Sequence, residues 1–337
     1  MQTSYPKTKE KKVQEKFIVS VDMGGTKILA SVLNSKKGII ARQKKPTNIN
    51  SGTKIYVKDI AEIVKKVVTV SKLKKANIAA VCLGVPGSVN PLTGIIGFAP
   101  NLGIKNYKMK AELEKLIPYP VLLENDVNLG ALGIKNFGIG KKSQNMLAVF
   151  IGTGIGGGVI INGKIYRGFN FVAGEIGHMM VQKNGPKCGC GKKGCFEALA
   201  SRTAIVKNII NDVKKLKKKS VLSDLIKSNQ RVKSGALRNA IDKKDKVVTN
   251  RITEACETIG DVLGSIANLM NFDMIVLGGG VIEALGDYIM PIIKNEFNSH
   301  VLDASAKGIK IVSSKLGDDA AIYGGLALAE EFLGIKI

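Results

Sequence analysis

The stretch Phe17-Ile-Val-Ser-Val-Asp22-Met-Gly24-Gly25-Thr26-Lys27-Ile-Leu-Ala-Ser-Val-Leu-Asn-Ser35 decides the fold. Two apolar runs rich in β-branched residues flank a Gly-Gly pair, which predicts two strands joined by a tight turn. The pattern returns at Met146 as MLAVFIGTGIGGGVIINGKIY, where Asn162-Gly163 marks a further hairpin. Two such units suggest a duplicated lobe. Ile78–Gly84 and Val121–Leu123 read as buried strands between them. Lys54–Lys72 reads as a helix with Ile60, Ile63, Val67 and Val70 on one face. A second helix is predicted from Ile252 to Met270, its apolar stripe running to Leu269 and Met270, and the strand MIVLGGG follows it. Strands alternating with helices predict an α/β architecture.

Composition narrows the function classes. The 337 residues are 45% hydrophobic and 23% charged, a globular balance with room for two domains. No apolar run approaches the length of about 18 residues that would span a membrane. Residues 1–16 read as a flexible basic tail without the apolar core of a secretory signal. Three of the five cysteines cluster at Cys188, Cys190 and Cys195, which favours a metal site in a reducing compartment, so a cytoplasmic location is expected. The net charge of +24 invites a nucleic-acid reading, but its distribution argues otherwise. Residues 202–251 hold 15 Lys/Arg against 4 Asp, with Ile205, Ile209, Val213 and Leu216 at helical spacing between them. That is the pattern of a solvated helix face. Aromatic residues are only 5%, too few for an obvious base-stacking platform, so no specific nucleic-acid partner and no membrane partner are expected.

Gly152-Thr153-Gly154-Ile-Gly-Gly157 formally matches G-x-G-x-x-G. A dinucleotide fingerprint needs a helix directly after the loop, whereas Val-Ile-Ile-Asn-Gly follows here, so that reading fails. A glycine turn between strands can still present consecutive N–H groups to phosphate. In the first turn Asp22 can hold Mg²⁺ through water, while Thr26 and Lys27 can donate to phosphate oxygens beside Gly24 and Gly25. Each loop alone could be merely a tight hairpin. Two of them, with Gly278-Gly279-Gly280 after the later strand, favour a nucleotide cleft. Asp126 lies just past an apolar strand, where α/β proteins place their chemistry; a helix cap is the alternative reading of Asn125-Asp126.

The motifs Asp22-Met-Gly-Gly-Thr-Lys27, Glu124-Asn-Asp126, Gly152-Thr-Gly-Ile-Gly-Gly-Gly158, Glu175-Ile-Gly-His178 and Cys188-Gly-Cys190-Gly-Lys-Lys-Gly-Cys195-Phe-Glu197 together resemble the ROK family of repressors and sugar kinases. The resemblance runs from about residue 17 to the C-terminus. It implies two RNase-H-like α/β lobes of the actin, sugar-kinase and Hsp70 superfamily with ATP in the cleft between them. The first lobe would span 17–125 and be completed by a C-terminal helix at about 318–337. The second would span 126–317 and carry the cysteine loop and the basic segment. The resemblance assigns the general base to Asp126, a sugar-hydroxyl contact to Asn125, and sugar-ring contacts to Glu175, His178 and Glu197. Asn101, in a lead-in like that of glucokinase-like members, is expected to reach the sugar.

Three thiolates need a fourth ligand for tetrahedral zinc. His178 is ten residues upstream and the only other histidine is His300, so Cys188, Cys190, Cys195 and His178 are the expected set around a structural Zn²⁺. The implied activity is transfer of the γ-phosphoryl group of ATP, with Mg²⁺, to the 6-hydroxyl of a hexose, glucose being the expected one. Fructose and N-acetylmannosamine are alternatives, as is a sugar-sensing repressor. The repressor is disfavoured because only 21 residues precede Asp22, too few for a helix-turn-helix domain. A polymerising ATPase of the actin type would leave the cysteine cluster unexplained. A homodimer is expected from the family.

Overall fold

The structure is a computed structural model that describes residues 15–47 and 52–337. The first sheet is built from β1 (Phe17–Met23), β2 (Lys27–Asn34), β3 (Gly38–Pro46), β4 (Ile78–Val85) and, after an excursion, β8 (Val121–Asn125). Its order is β3-β2-β1-β4-β8, with the β1–β2 and β2–β3 pairs antiparallel and the rest parallel. The excursion is a small sheet of β5 (Ser88–Asn90), β6 (Ile95–Ala99) and β7 (Ile104–Tyr107). The second sheet repeats the topology: β9 (Met146–Ile151), β10 (Ile155–Ile161), β11 (Lys164–Ile165), β12 (Met274–Gly278) and β13 (Lys310–Ser313), in the order β11-β10-β9-β12-β13. Here too the hairpin partners are antiparallel and the later strands parallel.

The central strands β1, β4, β9 and β12 are apolar almost throughout because both faces are covered, while the edge strand β3 is half-exposed. In β1, Phe17, Val19, Val21 and Met23 face α1 (Thr53–Ser71) and α2 (Met109–Glu114), while Ile18 faces the other way. That inner face meets α3 (Asp126–Phe137) and α11 (Asp319–Leu333), which also cover one face of the second sheet. The outer face of the second sheet carries α4 (Phe196–Ala200), α5 (Arg202–Lys214), α6 (Ser223–Lys227), α7 (Ser234–Asp242), α8 (Lys246–Met270) and α9 (Gly280–His300). The short α10 (Asp303–Ala306) leads into β13. The result is five layers with a helix pair in the middle. That pair packs backbone to backbone: a Cβ at Gly133 would collide with the Ala320 carbonyl, and one at Gly324 with the Leu129 carbonyl. The Phe137 and Tyr323 rings stack beside this crossing, 5.3 Å between centroids.

Several sequence expectations shift. The tail expectation for residues 1–14 lies outside the described residues, but Glu15 and Lys16 do not belong to a loose tail. Glu15 pairs with Lys37 at 2.6 Å and accepts from Asn34 Nδ2 at 3.1 Å, and the Lys16 ammonium reaches the Ala76 carbonyl. Val70 is half-exposed, because the last turn of α1 overhangs the sheet, and Leu269 is 80% exposed at the end of α8 for the same reason. In the basic segment Ile205 and Ile209 are buried, but Leu216 lies beyond the end of α5 and is exposed. The Asn162-Gly163 turn has φ of 51° and 75°, the paired positive values of a tight hairpin that suit Asn-Gly.

Candidate active site

Three turns lie at the same ends of the two sheets. The β1–β2 turn carries Gly24, Gly25 and Thr26, and is closed by Gly24 N–H donating to the Lys27 carbonyl at 2.9 Å. Thr47 secures it from β3, its hydroxyl donating to the Gly24 carbonyl at 2.8 Å. The β9–β10 turn carries Gly152, Thr153 and Gly154. Gly279, with φ of 88°, starts α9 with its Cα against the backbone of Ile151, so the Gly278–Gly280 turn abuts the end of β9. A Cβ at Gly25 or Gly152 would meet nothing within 4 Å, and neither residue has a positive φ. The protein itself therefore does not need glycine at these two places, whereas a ligand approaching the backbone would. Gly154 differs: a Cβ there would collide with the Glu197 carboxylate.

Asp126 is the first residue of α3, at the end of β8. Asn125 is the helix cap, its Oδ1 accepting from Val127 N–H at 2.9 Å and Asn128 N–H at 3.1 Å, while its Nδ2 donates to the Gly87 carbonyl at 3.0 Å. The helix-cap reading of the pair thus falls on Asn125, while Asp126 Oδ1 accepts from the Val127 N–H at 3.0 Å. Burial pushes the Asp126 carboxyl up to about 6; the Val127 N–H opposes the rise and the Glu175 charge adds to it. Asp22 sits near enough to Asp126 and Asp318 that burial and those two charges lift it to about 7, against the pull of Lys27. Its surroundings suit a hard cation, which would relieve the gathered negative charge.

Lys27 forms an ion pair with Asp318, the cap of α11, and both influence Glu283 in the first turn of α9. Asp318 and Glu283 are cleft residues that the sequence reading missed. Each is an acid at a helix start, Asp318 as the cap of α11 and Glu283 in the first turn of α9, and no local sequence signal sets them apart from ordinary capping acids. Arg202 and Thr203 were also missed. Arg202 donates from Nη2 to Thr153 Oγ1 at 2.7 Å, and Thr203 Oγ1 donates to the Thr153 carbonyl at 2.6 Å, so the start of α5 fixes the second glycine turn.

The cysteine loop brings its donors together. His178 Nδ1 and the sulfurs of Cys188, Cys190 and Cys195 all lie within 4.8 Å of one another. Cys190 and Cys195 sulfurs are 3.7 Å apart, and Cys188 Sγ is 3.8 Å from His178 Nδ1. Tetrahedral zinc with bonds of about 2.3 Å separates its sulfurs by about 3.8 Å, so the donor set fits Zn²⁺. His300 lies elsewhere, against Asp261 and Glu296. The other nitrogen of His178, Nε2, faces Glu175 Oε2 at 3.8 Å. Burial raises the Glu175 carboxyl above its ordinary value, His178 pulls it down, and Glu197 adds to the rise.

Glu197 is shared between two regions. Its Oε2 accepts from Ile155 N–H at 3.0 Å, and Cys188 Sγ lies 3.8 Å from its Oε1. The carboxylate expected to meet sugar therefore also ties the cysteine loop to the second glycine turn. Asn101 is exposed in the turn Pro100–Leu102. That turn follows Ala99, which packs against Gly87, the residue whose carbonyl holds Asn125.

The two sheets of repeated topology and the cleft between them are the fold of the actin, sugar-kinase and Hsp70 superfamily. The chain belongs to the ROK family, whose profile matches residues 18–332. A glucokinase from Halalkalibacterium halodurans is 33% identical over 314 residues, covering 93% of this chain and 94% of that protein. The crystal structure of a ROK family glucokinase from Streptomyces griseus in complex with glucose and AMPPNP superposes with a TM-score of 0.82 at 28% identity, over 94% of this chain and 99% of that one. The xylose repressor of Bacillus subtilis is 28% identical over 91% of this chain and 75% of its own length. No helix among the described residues is long and apolar enough to cross a membrane.

Proposed function

We propose that the protein is a sugar kinase that transfers the γ-phosphoryl group of ATP to the 6-hydroxyl of a hexose, with glucose the first candidate. The observation that carries this reading is the Asp126 carboxylate, held at a helix start in the cleft and lifted to about 6 by burial. At neutral pH such a group is ionised yet more basic than an ordinary carboxylate, which suits a general base. The hexose O6 would form a bond to the γ-phosphorus as the bond to the β–γ bridging oxygen breaks, and the hydroxyl proton would pass to Asp126. Phosphoryl transfer is catalysed mainly by positioning and charge stabilisation. The backbone N–H groups around Gly25 and Gly152, Thr26, Thr153 and Lys27 would hold phosphates. The Gly278–Gly280 turn would border the nucleotide, and Asp22 would hold Mg²⁺ through water. Glu175, His178, Glu197, Asn125 and Asn101 would receive the sugar, and Zn²⁺ on His178, Cys188, Cys190 and Cys195 would fix the loop that presents the first three. The Halalkalibacterium glucokinase and the Streptomyces complex support glucose and ATP as the pair to test first.

The match to a xylose repressor supports a second reading, a sugar-sensing regulator. Such a protein needs a sugar pocket but neither open glycine turns nor a base. Steady-state assays of the purified protein with a panel of hexoses, against ATP, ADP and polyphosphate, separate the two. Turnover with a hexose and ATP is expected. Sugar binding without turnover for any donor would favour the regulator.

A further inference from the structure

Arg167, just past β11, makes the most buried ion-pair constellation that touches the proposed site. Its Nε donates to Glu124 Oε2 at 2.6 Å, and Nη1 and Nη2 donate to the two carboxylate oxygens of Glu331 on α11 at 2.9 and 3.0 Å. The guanidinium lies 5.7 Å from the centre of the Phe332 ring. Glu124 is 1% exposed. Its other oxygen accepts from Asn125 N–H at 2.9 Å and from Asn128 Nδ2 at 3.1 Å. Glu124 thus holds the first turn of α3 on both sides of Asp126, and Arg167 is its ion-pair partner. On its other side Arg167 closes the loop leading to Glu175, its carbonyl accepting from Ala173 N–H at 3.0 Å.

We infer that Arg167 is a positioning residue that sets the Asp126 turn and the Glu175 loop against each other through one half-buried guanidinium. The inference rests on the kinase reading above. A planar fork with donors on two edges can hold Glu124 and Glu331 at once, which a lysine ammonium cannot do with the same geometry. Without it, the buried Glu124 carboxylate is left unpaired and is driven to swing out, which releases Asn128 and the N–H of Asn125. A shift of about 1 Å in a reacting group can lower turnover by about 10²-fold. The nucleotide turns at Gly25 and Gly152 lie outside this network.

The test compares Arg167→Met, Arg167→Lys and Glu331→Gln with the wild-type protein. Arg167→Met should lower kcat by about tenfold or more and raise KM for hexose severalfold, with KM for ATP within about twofold of wild type. Arg167→Lys, which can still reach Glu124, should recover part of kcat. Glu331→Gln, which leaves the Glu124 arm intact, should stay within about twofold throughout. A folded Arg167→Met protein with wild-type kinetics would overturn the inference. So would a Glu331→Gln protein as impaired as Arg167→Met, which would make the network a mere strut. If Arg167→Met does not fold, a fully active Arg167→Lys overturns the inference, and a folded but slow one supports it. Calorimetric hexose affinity repeats the comparison without turnover. An inactive wild type that still shows graded loss of sugar binding would therefore sink the kinase reading and leave the Arg167 assignment standing, and equal sugar affinity in all four proteins would overturn the assignment.

Discussion

Asp126 takes its proton affinity from its place more than from any one partner. Burial raises it, the Val127 N–H lowers it, and Glu175 raises it again. Asp126→Asn keeps the shape and removes the base, so kcat should fall by about 10²-fold or more with hexose affinity little changed. In the proposed reaction the ionised form is the active one. The dependence of kcat/KM on pH should therefore rise through about 6, falling about tenfold per unit below it, and level off above. The same shift has the opposite sign for stability. A carboxyl whose folded value is raised adds stability at low pH and loses that contribution as pH rises from about 4 through about 6. Asp126→Asn should accordingly melt roughly 2–8 °C higher than wild type at pH of about 8, measured without ligands. Asp126 was legible in the sequence because a polar Asn-Asp pair ends an apolar strand. Asp318 and Glu283 were not, since each looks like an ordinary acid in the first turn of a helix, and only the fold brings them to Lys27.

Two kinds of glycine occupy the two glycine turns, and they should fail differently when changed. Gly25 and Gly152 have free space where a Cβ would go, so Gly25→Ala and Gly152→Ala should fold normally and raise KM for ATP severalfold. Unchanged ATP titrations at saturating sugar would place the phosphates elsewhere. Gly154→Ala should instead harm both substrates, because the new methyl displaces Glu197. Nothing in the sequence distinguishes Gly154 from Gly25 and Gly152 or links the second turn to the cysteine loop. The Ile155 N–H to Glu197 bond joins the two, a contact across 42 residues that local pattern does not encode. Zinc removal, by chelation or Cys190→Ser, should therefore weaken hexose binding most and nucleotide binding as well, to a smaller degree. Calorimetry of each ligand on holo and metal-depleted protein measures this. Full retention of both affinities would leave the four donors without a role in the site. The central strands β1, β2, β4, β8, β9 and β12 were legible because burial on both faces makes their apolar runs continuous, whereas β3, β5, β6, β7 and β13, short or half-exposed, drew no strand reading. Helix ends were less so, as Val70 and Leu269 read as core yet project past the sheet they would cover.

At the scale of the whole molecule, duplication explains why two similar turns face one cleft. Each sheet contributes a first hairpin, and the middle helices start at Asp126 and Asp319 between them. The repeat was visible in the sequence as two strand-glycine-strand units. The backbone crossing of Gly133 and Gly324 was not, because isolated glycines in apolar helices carry no partner label. The basic segment 202–251 divides its labour: the start of α5 holds Thr153, while Asp212 inside the segment pairs with Arg251 at 2.8 Å. Any DNA binding by the remaining lysines should be weak and should vanish with modest salt in a gel-shift titration. In the proposed reaction Asp126 drives transfer from ATP to a hexose 6-hydroxyl in this cleft. This is tested most directly by phosphorus NMR of glucose, ATP and Mg²⁺ incubated with wild-type protein or Asp126→Asn. A hexose 6-phosphate signal should grow with wild type and be slowed by about 10²-fold or more in the folded variant. Equal growth with both proteins, or phosphate released to water with no sugar product, would contradict it.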